Sequence, residues 1–134
     1  MMKGAKEKHK KITVYFSDRL DDFTRYWCYK KRMSFIELLE EFLKIKNRPL
    51  LHKREVLNLR FETGKRRVLV LTSEKQKKLI EDILKEMQKR YGKIFEEHKR
   101  KLSKSTAMKL LIREAEKVLG GERNERKAGG KKQV

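Results

Sequence analysis

Cysteine, proline and tryptophan each occur once in 134 residues, and aromatic residues make up only 8%. The lone Cys28 permits no internal disulfide and fits a reducing compartment. No apolar run approaches the ~20 residues a membrane span needs, and no secretory-leader pattern opens the chain. A cytoplasmic location is therefore expected, in the host cell if the chain is viral. No Gly-rich phosphate loop, nucleophile elbow or paired-carboxylate pattern appears. His9, His52 and His98 are scattered without a second ligand at metal spacing. Glu96, Glu97 and His98 are consecutive, so on a helix they point apart. No metal, other cofactor or small-molecule substrate is expected. An enzyme is disfavoured, although dispersed nuclease carboxylates would leave no motif.

Acidic residues are the other shortage: 19 Asp and Glu stand against 38 Lys and Arg, a formal charge of +19. Charged residues reach 43% and hydrophobic ones only 37%, so the core must be thin and shared by few elements. A surface of this sign attracts polyanions and releases their counterions on binding, which makes nucleic acid the leading partner and an acidic membrane surface the second. Residues 1–11 carry +4 and residues 120–134 carry +3, leaving +12 on the body between them. Basic tails are commonly only solubilising, so the remainder is the better evidence. Abundant Lys, Glu and Arg beside few Asn and Gln lean towards a thermophile.

Everything is organised around residues 11–17. Ile12, Val14 and Phe16 alternate with Lys11, Thr13 and Tyr15, which predicts a half-buried strand. Ser17 caps a helix over about 18–31, with Leu20, Phe23 and Trp27 on its inner face. Ser34 starts a second helix that runs to about Lys46, because Pro49 disfavours helix at Arg48. Residues 1–10 have no periodicity and read as a disordered basic arm.

Residues 47–65 read as a linker, with two alternatives beyond that. Leu57, Leu59 and Phe61 alternate with polar residues, so 56–62 and 66–71 can form a local hairpin. Alternatively Val68–Leu71 pairs with the first strand over a long range. Both together would place a third strand at the edge. Thr72-Ser73-Glu74 starts a long helix, which Gly92 is expected to kink or interrupt. A last helix starts near Ser103 and carries Met108, Leu111, Ile112, Ala115, Val118 and Leu119. Gly120-Gly121 is expected to stop it, with a disordered tail beyond.

The order strand, Ser-capped helix, Ser-capped helix thus appears twice, over 11–46 and 66–119. It resembles the ribbon-helix-helix family of MetJ/Arc/CopG-type DNA-binding proteins. The segment from Leu102 through Ser103, Lys104 and Ser105 to Ala115 looks very like the start of the second helix in CopG- and ParD-type members. The resemblance implies a mainly α fold with a short antiparallel β-ribbon that enters the DNA major groove. With both strands on one chain, it implies a tandem pseudo-dimer, which can still form a homodimer over two half-sites. Tandem units of this kind resemble small regulators of archaeal viruses and plasmids. The second unit departs from the pattern: its first helical region, 73–100, is long, and Val68, Leu69, Val70 and Leu71 give its strand no polar face in either register.

The expected function is sequence-specific double-stranded DNA binding in transcription regulation, including repression. Lys11, Thr13, Tyr15, Arg66 and Arg67 are the candidate base readers, because cations and hydroxyls can meet base edges. The plainer reading of the first three is the solvent face of an edge strand. Arg32, Ser34, Lys101, Ser103, Lys104 and Ser105 are the candidate phosphate contacts, since free N–H groups at a helix start attract anions. Plain capping explains the serines equally well. Residues 44–67, with nine Lys/Arg against two Glu, read either as a phosphate-tracking surface or as a solvated linker. Trp27, Phe23, Met87 and Phe95 have core spacing. Two other classes stay open: a non-specific nucleic-acid coat or RNA binder, and an antitoxin-like module whose long helix grips a protein.

Overall fold

The computed structural model of the chain describes residues 10–59 and 64–133, with side chains as far as Leu119. Residues 1–9 of the basic arm expected over 1–10, and Phe61, expected in a hairpin strand, lie outside the described residues, while Lys10, the last residue of that expected arm, is instead the first of a strand. The elements in order are β1 (Lys10–Phe16), α1 (Asp18–Lys31), α2 (Phe35–Lys44), α3 (Lys53–Leu59), β2 (Lys65–Leu71), α4 (Glu74–Glu97) and α5 (Lys104–Gln133). The chain is mainly helical with a two-stranded antiparallel sheet.

β1 and β2 pair over their whole length, from Lys10 opposite Leu71 to Phe16 opposite Lys65. Both strands share one burial order from end to end. Val14 and Phe16 of β1, with Leu69 and Leu71 of β2, turn inward onto the helices. Each such side chain contributes about 1.5–3 kcal/mol by leaving water. The ribbon therefore has one dry face, and the choice left open for β2 is settled: Leu69 and Leu71 face the core, Val68 and Val70 face out.

The local hairpin is not formed. Residues 53–59 are the helix α3, not a strand, so no third strand sits beside β2 among the described residues. Val56 and Leu59, three apart, supply its buried face. Tertiary contacts hold this short helix. Glu55 pairs with Lys117 at 3.3 Å and with Arg113, and the Lys109 ammonium donates to the Leu59 carbonyl at 3.2 Å. The apparent alternation of Leu57, Leu59 and Phe61 is overridden because a lone edge hairpin would gain none of these.

α5 is the central rod. Thr106 to Ile112 are buried without a break, and the helix packs against α4, α2, β1, α1 and α3. Apart from Thr106 and Lys109 this stretch is apolar around its whole circumference, the pattern of a helix segment that lies inside. One core cluster accordingly joins side chains from every element, Phe16, Phe42, Val56, Leu71, Ile83 and Leu111 among them. Two glycine expectations fail. α4 runs through Gly92 unbroken, and α5 runs through Gly120-Gly121 to Gln133, where a stop and a disordered tail were expected. A glycine costs only about 1 kcal/mol inside a helix, and the Glu, Arg, Lys and Ala around this pair are strong helix formers.

The stops that do occur are built on non-glycine residues. Arg32 ends α1 and Lys99 follows the last residues of α4, both left-handed, with φ of 55° and 53°. After Lys99 the Arg100 N–H donates to the Phe95 carbonyl at 2.8 Å, closing the helix end. α2 stops at Lys44, two residues before the expected Lys46. The Arg48 guanidinium takes the carbonyls of Phe42, Leu43 and Ile45 at 3.2, 2.9 and 2.6 Å, which satisfies the helix end from outside.

Candidate nucleic-acid interface

The outward face of the ribbon gathers side chains from 50 residues apart in sequence. Lys11, Thr13 and Tyr15 alternate out of β1, and Arg66, Val68 and Val70 alternate out of β2. The ladder sets Lys11 opposite Val70, Thr13 opposite Val68 and Tyr15 opposite Arg66. Lys10 and Lys65, opposite the inward Leu71 and Phe16, belong to the other face and are exposed only because they lie at the two ends of the ribbon. Four of the five candidate base readers thus share one solvent face rich in donors, with Tyr15 44% exposed.

Arg67 is not on that face. It sits opposite Val14 on the inner side. Its guanidinium donates to the Asp21 carboxylate at 2.8 Å and lies 4.8 Å from the centre of the Phe35 ring. Neighbours in a strand point to opposite faces, so Arg66 and Arg67 can never read together in either register. That parity is present in the sequence, so one of the two expected readers has to lie inward, and it is Arg67. Asp21 itself is buried and also accepts from Arg25 at 2.8 Å. Burial alone would raise its carboxyl, but the hydrogen bonds and charges of Arg25 and Arg67 outweigh this and hold it below its ordinary value.

The two helix starts flank opposite ends of the ribbon. At one end Phe35 packs edge-on against Phe16, with ring centres 5.8 Å apart, which brings Ser34 beside the Phe16–Lys65 pair. At the other end Lys104 lines a hollow with Lys10 and Leu71, which brings Ser103 there. Both serines cap their helices: Ser34 accepts from the Glu37 N–H at 3.3 Å and Ser103 from the Thr106 N–H at 3.2 Å. They differ in what else is present. The Glu37 carboxylate reaches back to the Ser34 N–H at 2.9 Å, completing a capping box and placing a negative charge at that end. The first turn of α5 holds no acidic residue, so the Ser103 end favours an anion more.

The remaining candidates surround these starts. Arg32 and Lys101 are exposed. Lys104 is half-buried and pairs with the exposed Glu81 at 3.5 Å. The Ser105 hydroxyl lies 3.2 Å from that of Ser103, inside the cap rather than free of it. Within residues 44–67 the charge is not one surface. Arg48 is buried, with its Nε donating to Glu114 at 2.7 Å and its Nη2 to Glu86 at 3.0 Å. Glu114 is fully buried and also accepts from Arg90 at 2.9 Å and from the Tyr91 hydroxyl. Burial and the Glu114 acceptor push the Tyr91 phenol well above its usual range. This buried cluster fixes the segment after α2 to α4 and α5. Arg48 and Glu114 lie 66 residues apart, which no local pattern reveals.

Among the described residues no group of His, Cys, Asp and Glu side chains is arranged to hold a metal ion. No helix among them is long and apolar enough to cross a membrane. Burial raises the Cys28 thiol, against the opposing charges of Arg67 and Arg25, so it stays protonated at neutral pH. No protein-family model, curated protein sequence or solved structure matches the chain.

Proposed function

We propose that this chain is a sequence-specific double-stranded DNA-binding protein of the ribbon-helix-helix kind, acting in transcription regulation, with both units of the pseudo-dimer supplied by one polypeptide. The observation that carries the reading is the outward ribbon face, where Lys11, Thr13, Tyr15 and Arg66 stand together with no core to bury them. Two strands of seven residues make a ribbon roughly 23 Å long with about 5 Å between strands, which suits a major groove about 12 Å wide. Exposed cations and hydroxyls on that ribbon meet base edges. Helix starts at both ends, near Ser34 and Ser103, then lie where the flanking phosphates pass, with Arg32, Lys101 and Lys104 beside them. The formal charge of +19 supplies the sequence-independent attraction.

The test is selection of the full chain on a random duplex library, followed by competition between an enriched duplex and bulk random DNA. A regulator retains the enriched duplex against at least a ~1,000-fold excess of random DNA at physiological salt. Equal loss of signal to both competitors would instead leave a non-specific coat.

A further inference from the structure

The ribbon is symmetric in backbone and asymmetric in chemistry. An antiparallel ladder has a local two-fold axis at each directly opposed pair. The middle pair is Thr13 with Val68, with three pairs on either side. Rotation about that midpoint exchanges Lys11 with Arg66, Thr13 with Val68, and Tyr15 with Val70. The two cations match. The central residues have the same shape but differ by a hydroxyl against a methyl. The third pair is a phenol against an isopropyl group.

Val68 and Val70 are each 40% exposed, on a protein whose other valines in the ribbon and in α3, Val14 and Val56, are fully buried. Nothing among the described residues covers them. Their outward parity follows from burying Leu69 and Leu71, so exposure of two branched apolar side chains is a consequence of the register. A valine offers no hydrogen bond to a base edge. In the major groove the one apolar feature available to it is the C5-methyl of thymine.

We propose that the chain binds a non-palindromic duplex in one orientation, with Val68 and Val70 against thymine methyl groups in one half-site and Thr13 and Tyr15 hydrogen-bonding in the other. The inference rests on the ribbon being the duplex-reading element. Lys11 and Arg66 each bring a cation that can meet a guanine edge to one half, so the larger asymmetry falls at the central and third positions. A two-fold symmetric site would leave either the valines against polar edges or Tyr15 against a methyl.

Two arms of one experiment test this, both using the full chain and the duplex enriched from a random library. In the first, thymines in the preferred site are replaced one at a time by deoxyuridine, which removes only the methyl. Affinity is expected to fall about fourfold per contacted methyl, in one half of the site only. In the second, the double variant Val68→Thr with Val70→Tyr gives β2 the outward face of β1. Both positions are exposed, and an unchanged melting temperature checks the fold. The variant's enriched motif should become palindromic, repeating the half that Thr13 and Tyr15 read. A palindromic motif for the unaltered chain, or indifference to every deoxyuridine, overturns the inference while leaving sequence-specific binding in place. Failure to enrich any duplex removes the DNA-reading proposal itself and this one with it.

Discussion

Arg67 and Asp21 face each other at 2.8 Å across 46 residues of sequence, and the pair pins β2 to α1 beneath the ribbon. Asp21 is nearly fully buried and Arg67 mostly so. Arg67→Ala takes one of the two guanidinium partners from the buried Asp21 and leaves only Arg25, so it is expected to destabilise the fold by about 1.5–3 kcal/mol. The pair also predicts an acid limb. The Asp21 carboxyl titrates below its unfolded value of 3.8. Its stabilisation is therefore complete above about pH 4 and disappears as pH falls through the lower folded value. Urea unfolding from pH 6 to pH 2 should show the gap between wild type and Asp21→Asn closing below pH 4. A gap that stays constant to pH 2 would show that the pair does not couple to folding.

Arg66 and its neighbour should behave as opposites. Arg66→Ala, or Thr13→Ala with Tyr15→Ala, is expected to cost about 1–3 kcal/mol per lost base contact and to relax the selected motif. Arg67→Ala should leave the motif unchanged once the sample is folded. Library selection with each variant reads this directly. A motif relaxed only by Arg67→Ala would reverse the assignment of the faces.

Phosphate contacts carry a different signature. Lys101→Ala and Lys104→Ala should weaken binding to all duplexes alike and reduce the slope of log affinity against log salt by about 0.9 per lost contact. The effect of Lys104 includes release of Glu81, so Glu81→Gln alone should strengthen binding slightly. An unchanged slope in both lysine variants would place the Ser103 end away from the backbone.

Two glycines should respond with opposite signs. A Cβ at Gly92 meets nothing within 4 Å, in the middle of an unbroken helix, so Gly92→Ala should stabilise by about 0.5–1 kcal/mol. Gly64 has φ of +147°, and a Cβ there would lie 2.5 Å from the Phe16 carbonyl oxygen, which is backbone and cannot yield. Gly64→Ala should destabilise by more than 1 kcal/mol and loosen the entry to β2. Thermal melts of the two single variants check both.

Much of the fold was legible because it is written in local periods. The alternation of Ile12, Val14 and Phe16, and serines at 17, 34, 73 and 103, mark elements that the chain forms with those caps. The long-range pairing of 12–16 with 67–71 was legible only as one of two options. Local pattern cannot choose between partners that are both apolar. What decides is the sharing of one core, in which Leu69 and Leu71 are buried together with Val14 and Phe16. α3 escaped because its seven residues hold their shape through Glu55, Lys109 and Arg113, all tertiary contacts. The helix through Gly120-Gly121 escaped because a glycine ends a helix only when the chain turns left-handed there, and sequence does not report φ. In the candidate site, strand parity made legible that Lys11, Thr13 and Tyr15 share one face, and the structure puts Arg66 on it with them. The inward turn of Arg67 was not legible, because the Asp21 partner that draws it there lies on another element 46 residues away.

The claim on which the account depends is that the face carrying Thr13 and Tyr15 lies in the major groove. Dimethyl sulfate distinguishes the grooves, since it methylates guanine N7 in the major groove and adenine N3 in the minor groove. On the enriched duplex, the bound chain should protect guanine N7 within the site, leave adenine N3 reactive, and lose the protection in the Lys11→Ala, Arg66→Ala double variant. Protection of adenine N3 alone, or guanine protection unaltered by that variant, would contradict it.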